Sequence, residues 1–236
     1  MEARMKRRSP AISVVIGMLL LAGPAAARPV TGSIGLTPAM GVLAPTGVFG
    51  SDLKVSPGNF VAGLAEMGWT IGGSVDVFFS ERFALGAGWS YNRFGMDTTQ
   101  LYDADPGVSV DAHWKVMQYG AHAKYLVKVN PATHIFARGG VVFGGPKANI
   151  TATSEDVSAE ATLKADTAAG FEIGVGVMHF VADKFAMIGS FGYTQLLTSG
   201  KDLTIDEGGE EATFEFKLNT NWVSFRIGGM ILLGAK

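Results

Sequence analysis

The sequence predicts an all-β fold: an eight-stranded antiparallel up-and-down barrel that crosses a membrane. Three observations predict it. Successive stretches alternate large apolar residues with small or polar ones. The connections between these stretches are tight and long by turns. The chain is also hydrophobic without being segmentally so, since a mean hydropathy of +0.25 and a charged fraction of 17% coexist with only one long apolar run, at the N-terminus. Apolar residues scattered at period two are a strand signal. A closed barrel is the β architecture that satisfies every backbone group inside lipid.

The first residues read as an export signal. "MEARMKRRSP" is basic, through Arg4, Lys6, Arg7 and Arg8, and "AISVVIGMLLLAG" is apolar but short for a membrane span. "PAAARP" then offers an Ala-x-Ala cleavage site. The expectation is a signal peptide at 1–27, cleaved after Ala27, followed by one barrel domain over 28–236. The sequence has no cysteine, which excludes disulfides, thiolate metal sites and thiol redox chemistry.

Eight strand segments follow. The first, 32–43, is interrupted by Pro38, a poor residue for a paired strand. The second, 69–79, sets Trp69, Ile71, Val75, Val77 and Phe79 on one face. The third, "FALGAGWSYN" (83–92), sets Phe83, Leu85, Trp89 and Tyr91 against Ala84, Gly86, Gly88 and Ser90. The fourth spans 114–128, with Met117, Tyr119, Tyr125 and Val127 opposite Gln118, His122, Lys124 and Lys128. The fifth (134–143), sixth (171–180), seventh (185–195) and eighth (222–233) repeat the pattern, with Arg138, Glu172 and Arg226 among the small residues of the second face.

Three connections are tight, at 80–82, 129–133 and 181–184, and they alternate with long ones at 44–68, 93–113, 144–170 and 196–221. Tight turns therefore gather at one end of the barrel and long loops at the other. The long loops hold sixteen acidic residues against six basic ones, Lys54, Arg93, Lys147, Lys164, Lys201 and Lys217, so the loop end reads as acidic. Within the last loop, 202–205 and 213–218 flank Gly208 and Gly209 and suggest a hairpin above the membrane, with Phe214 and Phe216 available to a partner.

A soluble sandwich would turn its polar face to water and its apolar face to a core. Here the second face is too small and too sparsely charged for that; it suits the crowded interior of an eight-stranded barrel. The large apolar face then meets lipid. Ten residues at about 3.3 Å each, tilted about 45°, cover about 23 Å, close to the apolar band of such barrels. The predicted aromatic borders are Phe79, Phe83, Tyr125 and Phe185 near the tight turns, and Trp69, Trp89, Tyr91, Trp114, Tyr193 and Trp222 near the loops.

The basic leader, the eight alternating strands, the phrases "ERFALGAGWSYN" and "DKFAMIGSFGYT" and the closing "FRIGGMILLG" resemble the small outer-membrane β-barrel proteins of Gram-negative bacteria. That porin-family group includes the membrane domain of outer-membrane protein A and the opacity and attachment proteins. The resemblance covers 30–236. It implies a monomer inserted by the barrel-assembly machinery among bilayer lipid and lipopolysaccharide, with termini and short turns in the periplasm and long loops outside the cell. The chain departs from the group at Lys236, where an aromatic residue is usual.

On the lumen face, Asp76, Lys124, Arg138, Glu172 and Arg226 are the candidate charge network, because charges away from water need partners. Such a network either plugs the barrel or gates a narrow passage for ions and small solutes. An enzyme acting on lipid A is a third reading, and its trio of Ser109, Asp111 and His113 is held together by nothing in the spacing. His122 and His134 could face each other across a turn, and His179 falls on the outward face near the tight-turn border. "DAD" (103–105) and "DEGGEE" (206–211) could attract hard cations but lack the spacing of a calcium loop. No cofactor is implied. A phosphate-binding glycine loop and a basic, aromatic-studded surface are both missing from the sequence, so nucleic acid is not an expected partner. The expected role is therefore non-enzymatic: membrane structure, or binding of an extracellular ligand through the loops.

Overall fold

The alternation read from the sequence closes into a cylinder. The computed structural model describes residues 29–50, 55–56, 59–60, 64–98, 108–154, 158–197, 203–207, 210–214 and 220–234; the predicted signal peptide lies outside them. Eight strands form the wall: β1 (Ile34–Thr46), β4 (Ala65–Phe78), β5 (Phe83–Met96), β6 (Ser109–Lys128), β7 (Thr133–Thr153), β9 (Ala168–Ala182), β10 (Phe185–Leu196) and β13 (Thr220–Leu233). Each pairs antiparallel with its chain neighbour in the wall, and β1 pairs with β13 to close the ring. Between β1 and β4 lie a 3-10 turn at Gly47–Gly50 and a small hairpin, β2 (Val55–Ser56) with β3 (Asn59–Phe60).

Two of the three tight turns are fixed by side chains. Ser80 Oγ accepts hydrogen bonds from the amides of Arg82 and Phe83, and Asn130 Oδ1 accepts from those of Ala132 and Thr133. Such local bonds replace the ladder where the chain reverses. Pro38 stands inside β1 after all. The ladder with β13 is interrupted at Thr37 and Pro38, between Leu36↔Ile231 and Ala39↔Gly228, while that with β4 runs through Pro38↔Gly73. The missing donor thus coincides with a break on one side only.

At the loop end the strands run well past their predicted limits. β5 reaches Met96, β6 starts at Ser109 and β7 continues to Thr153, so strand takes both ends of the expected loop 93–113 and most of 144–170. The sequence hid this because the alternation inverts there, as in "SVDAH" and "NITAT": the outward face turns polar while Ala112 and Ile150 face the apolar cluster inside. β9 follows β7 only as far as Gly144↔Ala168. Beyond that point β7 pairs with β8 (Ser158–Lys164), β8 with β11 (Leu203–Glu207) and β11 with β12 (Glu210–Phe214). The upper parts of β6 and β7 therefore continue sideways as a ledge standing off the barrel. Its last two strands are the hairpin expected around Gly208 and Gly209; Phe216 and the "DAD" stretch lie outside the described residues.

The outward face carries Met40, Trp69, Ile71, Val75, Trp89, Tyr119, Val175, Phe191 and Phe225, all exposed. A belt of such residues around the wall has no soluble counterpart and matches a lipid-facing surface. Trp114 and Trp222 correct the predicted aromatic border. They are 3% and 0% exposed, against 46% for Trp69 and 53% for Trp89. Both share the lumen-facing parity of Gln118 and Ser224, so they point into the barrel.

Candidate functional site

The lumen is layered rather than uniformly small and polar. At the loop end an apolar cluster draws a residue from every wall strand: Leu43, Ala65, Phe94, Trp114, Val142, Ala168, Leu196 and Trp222. Phe49, from the 3-10 turn, drops into its centre. Its ring meets Phe94 at 5.0 Å and Trp114 at 5.8 Å, both edge-on, and Phe94 meets Trp222 at 5.6 Å. At the tight-turn end a second cluster contains Phe78, Leu126, Phe136, Met178, Phe180, Met230 and Leu232. Gly35 of β1 leaves room for it: a Cβ there would lie 3.0 Å from Met230 Sδ and 3.2 Å from the Phe78 ring.

Between these clusters lies a polar chamber of about 80 Å³, enough for several waters. The five predicted lumen charges meet here in two groups. Asp76 from β4 is fully buried, with Lys124 Nζ donating to Oδ2 at 2.6 Å, His122 Nε2 2.8 Å from Oδ1 and Ser74 Oγ donating to Oδ2 at 3.3 Å. Glu172 from β9 accepts from Arg138 Nη2 through Oε1 and from Gln118 Nε2 through Oε2 at 3.2 Å, while Arg226 Nη1 stands 3.8 Å from Oε1. Four strands thus converge on Glu172, and β4 joins β6 through Asp76. Lys124 also lies 5.7 Å from the centre of the Phe136 ring, a cation–π distance.

Register explains the first group. Asp76 pairs with Gly86 and Gly86 with His122, so the glycine stands between acid and imidazole. A Cβ on Gly86 would come within 2.4 Å of Asp76 Oδ1 and 2.8 Å of His122 Nε2. The chamber holds three cations, Lys124, Arg138 and Arg226, against two carboxylates. Among the described residues, Arg226 Nε and Nη2 and Arg138 Nε have no hydrogen-bond partner.

The remaining candidates separate. His122 and His134 do not face each other: His122 is opposite Gly140, while His134 is opposite Lys128 and packs edge-on against Phe180 at 5.9 Å. Lys128 is exposed at the tight-turn end. His179 has outward parity but is buried, its Nδ1 2.9 Å from Thr133 Oγ1. Asp111 approaches His113 at 3.5 Å, but His113 Nε2 has no hydrogen-bond partner among the described residues, so Ser109 does not complete a triad. No cluster of three or more metal-binding side chains occurs among the described residues.

Sequence reasoning missed one arrangement. Arg93, Lys147 and Lys164, assigned above to loops, lie on strands, and Arg93↔Lys115, Lys115↔Lys147 and Lys147↔Lys164 are consecutive cross-strand pairs. Once strand ends are extended, register alone reveals the row.

The family model for the outer membrane protein beta-barrel domain matches residues 13–222. No curated protein matches the sequence significantly. Among solved structures, the chain is similar to a major outer membrane protein from Thermus thermophilus (10% identity, TM-score 0.58, covering 85% of this chain and 99% of that one). It is likewise similar to the outer membrane protein OprG from Pseudomonas aeruginosa (11% identity, TM-score 0.52, covering 89% and 99%). The attachment invasion locus protein Ail of Yersinia pestis also matches (11% identity, TM-score 0.46, covering 86% and 99%). At these identities the likeness is one of fold. With a family model spanning most of its length and a closed, lipid-faced eight-stranded wall, the chain belongs to the outer-membrane β-barrel family and resides in the cell outer membrane.

Proposed function

We propose that this protein is a closed membrane anchor that works through its loop end at the cell surface and does not carry solutes or catalyse a reaction. The observation behind this reading is the filled lumen. An apolar cluster drawn from all eight strands, with Phe49 at its centre, lies above the chamber, and a second lies below it. Ions crossing either would shed their hydration with nothing to replace it. Above the wall, the ledge of β6, β7, β8, β11 and β12 extends the sheet into the surroundings, with backbone edges and loops to offer a ligand.

In this reading residues 1–27 direct export, the assembly machinery inserts a monomer, tight turns face the periplasm and the ledge faces outward. Deleting residues 203–214 from the full chain tests it. The shortened barrel is expected to insert and keep its heat-shifted gel mobility while losing surface adhesion measured on whole cells. Unchanged binding by the deletion variant would count against the ledge as the working surface.

The charged chamber favours a second reading. The unpaired guanidinium nitrogens of Arg138 and Arg226 could take over carboxylate contacts and open a narrow passage. That gate predicts that Phe49→Ala, by opening the upper cluster, yields discrete conductance steps, and that Glu172→Ala and Arg138→Ala alter them.

A further inference from the structure

Among the described residues, the row Arg93, Lys115, Lys147 and Lys164 is a charged feature of the outward face that the anchor reading leaves unexplained. Directly paired residues in a sheet share a face, and Lys115 and Arg93 have the outward parity of Met117, Tyr119 and Tyr91. Four cations therefore stand side by side on neighbouring strands. At about 4.8 Å per strand the row is about 14 Å long. Like charges directly opposite one another destabilise a sheet, and among the described residues none of the four makes an ion pair. An anion bridging them would remove that repulsion.

Height along the wall identifies which anion. About ten residues of tilted strand fill the apolar band. Arg93 lies ten residues from Phe83, Lys115 thirteen from Lys128 and Lys147 fourteen from Thr133 at the tight-turn ends of their strands. The row thus begins at the aromatic border, where Arg93 pairs with Trp69, and climbs through the headgroup layer. Beneath it runs a groove of about 560 Å³ lined by Tyr91, Met117 and Tyr119 and by three cations, Lys115, Lys147 and Lys164, against one carboxylate, Asp166. Tyr119 stacks on Phe143 at 5.9 Å to give a flat apolar plate. The groove is apolar toward the bilayer and cationic above, as a lipid carrying phosphate on its headgroup requires.

We infer that Arg93, Lys115, Lys147 and Lys164 bind the phosphate groups of an outer-leaflet glycolipid, lipopolysaccharide, with its acyl portion against Tyr91, Met117 and Tyr119. The inference rests on the orientation proposed above, in which the loop end faces outward. A cysteine introduced at Asp206 and labelled with an impermeant reagent on intact cells tests that orientation by itself.

The binding test uses the refolded protein in detergent, where orientation plays no part. Lipopolysaccharide is titrated and read by native mass spectrometry and by the midpoint of heat unfolding. The wild type is expected to retain bound lipopolysaccharide, K115Q/K147Q to bind at least tenfold more weakly while keeping its heat-shifted mobility, and K115R/K147R to bind like wild type. Lys184→Gln, in a tight turn, is expected to change nothing. Equal affinity of K115Q/K147Q, or equal binding of dephosphorylated lipid A, would overturn the site. Equally tight binding of phosphatidylglycerol micelles, or an equal midpoint shift with inorganic phosphate alone, would overturn its assignment to the glycolipid.

Discussion

A single glycine illustrates how closely the lumen is fitted. Gly86 lies between Asp76 and His122, and any Cβ there would strike both groups as well as the Val75 carbonyl at 2.7 Å. Gly86→Ala should therefore separate Asp76 from His122 and expose the chamber to repacking. Asp76→Ala removes the partner of Lys124, an ammonium that is 3% exposed, and leaves its charge buried. Breaking a buried pair in this way costs about 3–5 kcal/mol. Urea unfolding in lipid vesicles, followed by tryptophan fluorescence, is expected to show that loss for Asp76→Ala. Replacing Asp76 and Lys124 together, by Leu and Met, is expected to restore much of the stability, since an apolar pair needs no compensating charge. The five lumen charges were legible from parity alone. Their partners were not, because which acid meets which base depends on the stagger between strands.

Elements differ in how firmly they are held. Each wall strand is paired on both sides over most of its length, whereas β12 pairs only with β11. Opening free energies should fall accordingly from the wall to the edge of the ledge. Amide hydrogen exchange of the inserted protein is expected to be slowest in β4, β5, β10 and β13 and fastest in β11 and β12; uniform protection across both sets would contradict this arrangement. The strand count and the tight turns followed from alternation in the sequence. The upper ends of β6 and β7 did not, since the outward apolar stripe stops there and only pairing partners reveal a strand. The same blind spot concealed the basic row, because Arg93, Lys147 and Lys164 had been counted with the loops and Lys115 with a strand. Trp114 and Trp222 failed for another reason: their position near strand ends suggested a border, while their parity pointed inward.

At the scale of the molecule, the outside is governed by depth in the bilayer and the inside by layers. Ile227 lies six residues above Leu233 on β13 and faces outward, near the middle of the apolar band. An arginine at that depth costs about 2–4 kcal/mol, falling toward zero near the interfaces. Ile227→Arg is expected to lower unfolding stability by that amount, whereas Met67→Arg, close to the loop-end border, should be nearly neutral. Equal effects would mean that the apolar band does not sit where the aromatic borders place it. The layered interior bears most directly on function, because two apolar clusters around a charged chamber form a closed lumen only if they do not part spontaneously. Single-channel recording of the refolded, heat-shifted wild-type protein in a planar bilayer tests that claim. A silent trace, from the wild type and from Phe49→Ala alike because the lower cluster still closes the lumen, is the result the closed barrel predicts. Reproducible steps from the wild type would contradict it and make the chamber a conducting path.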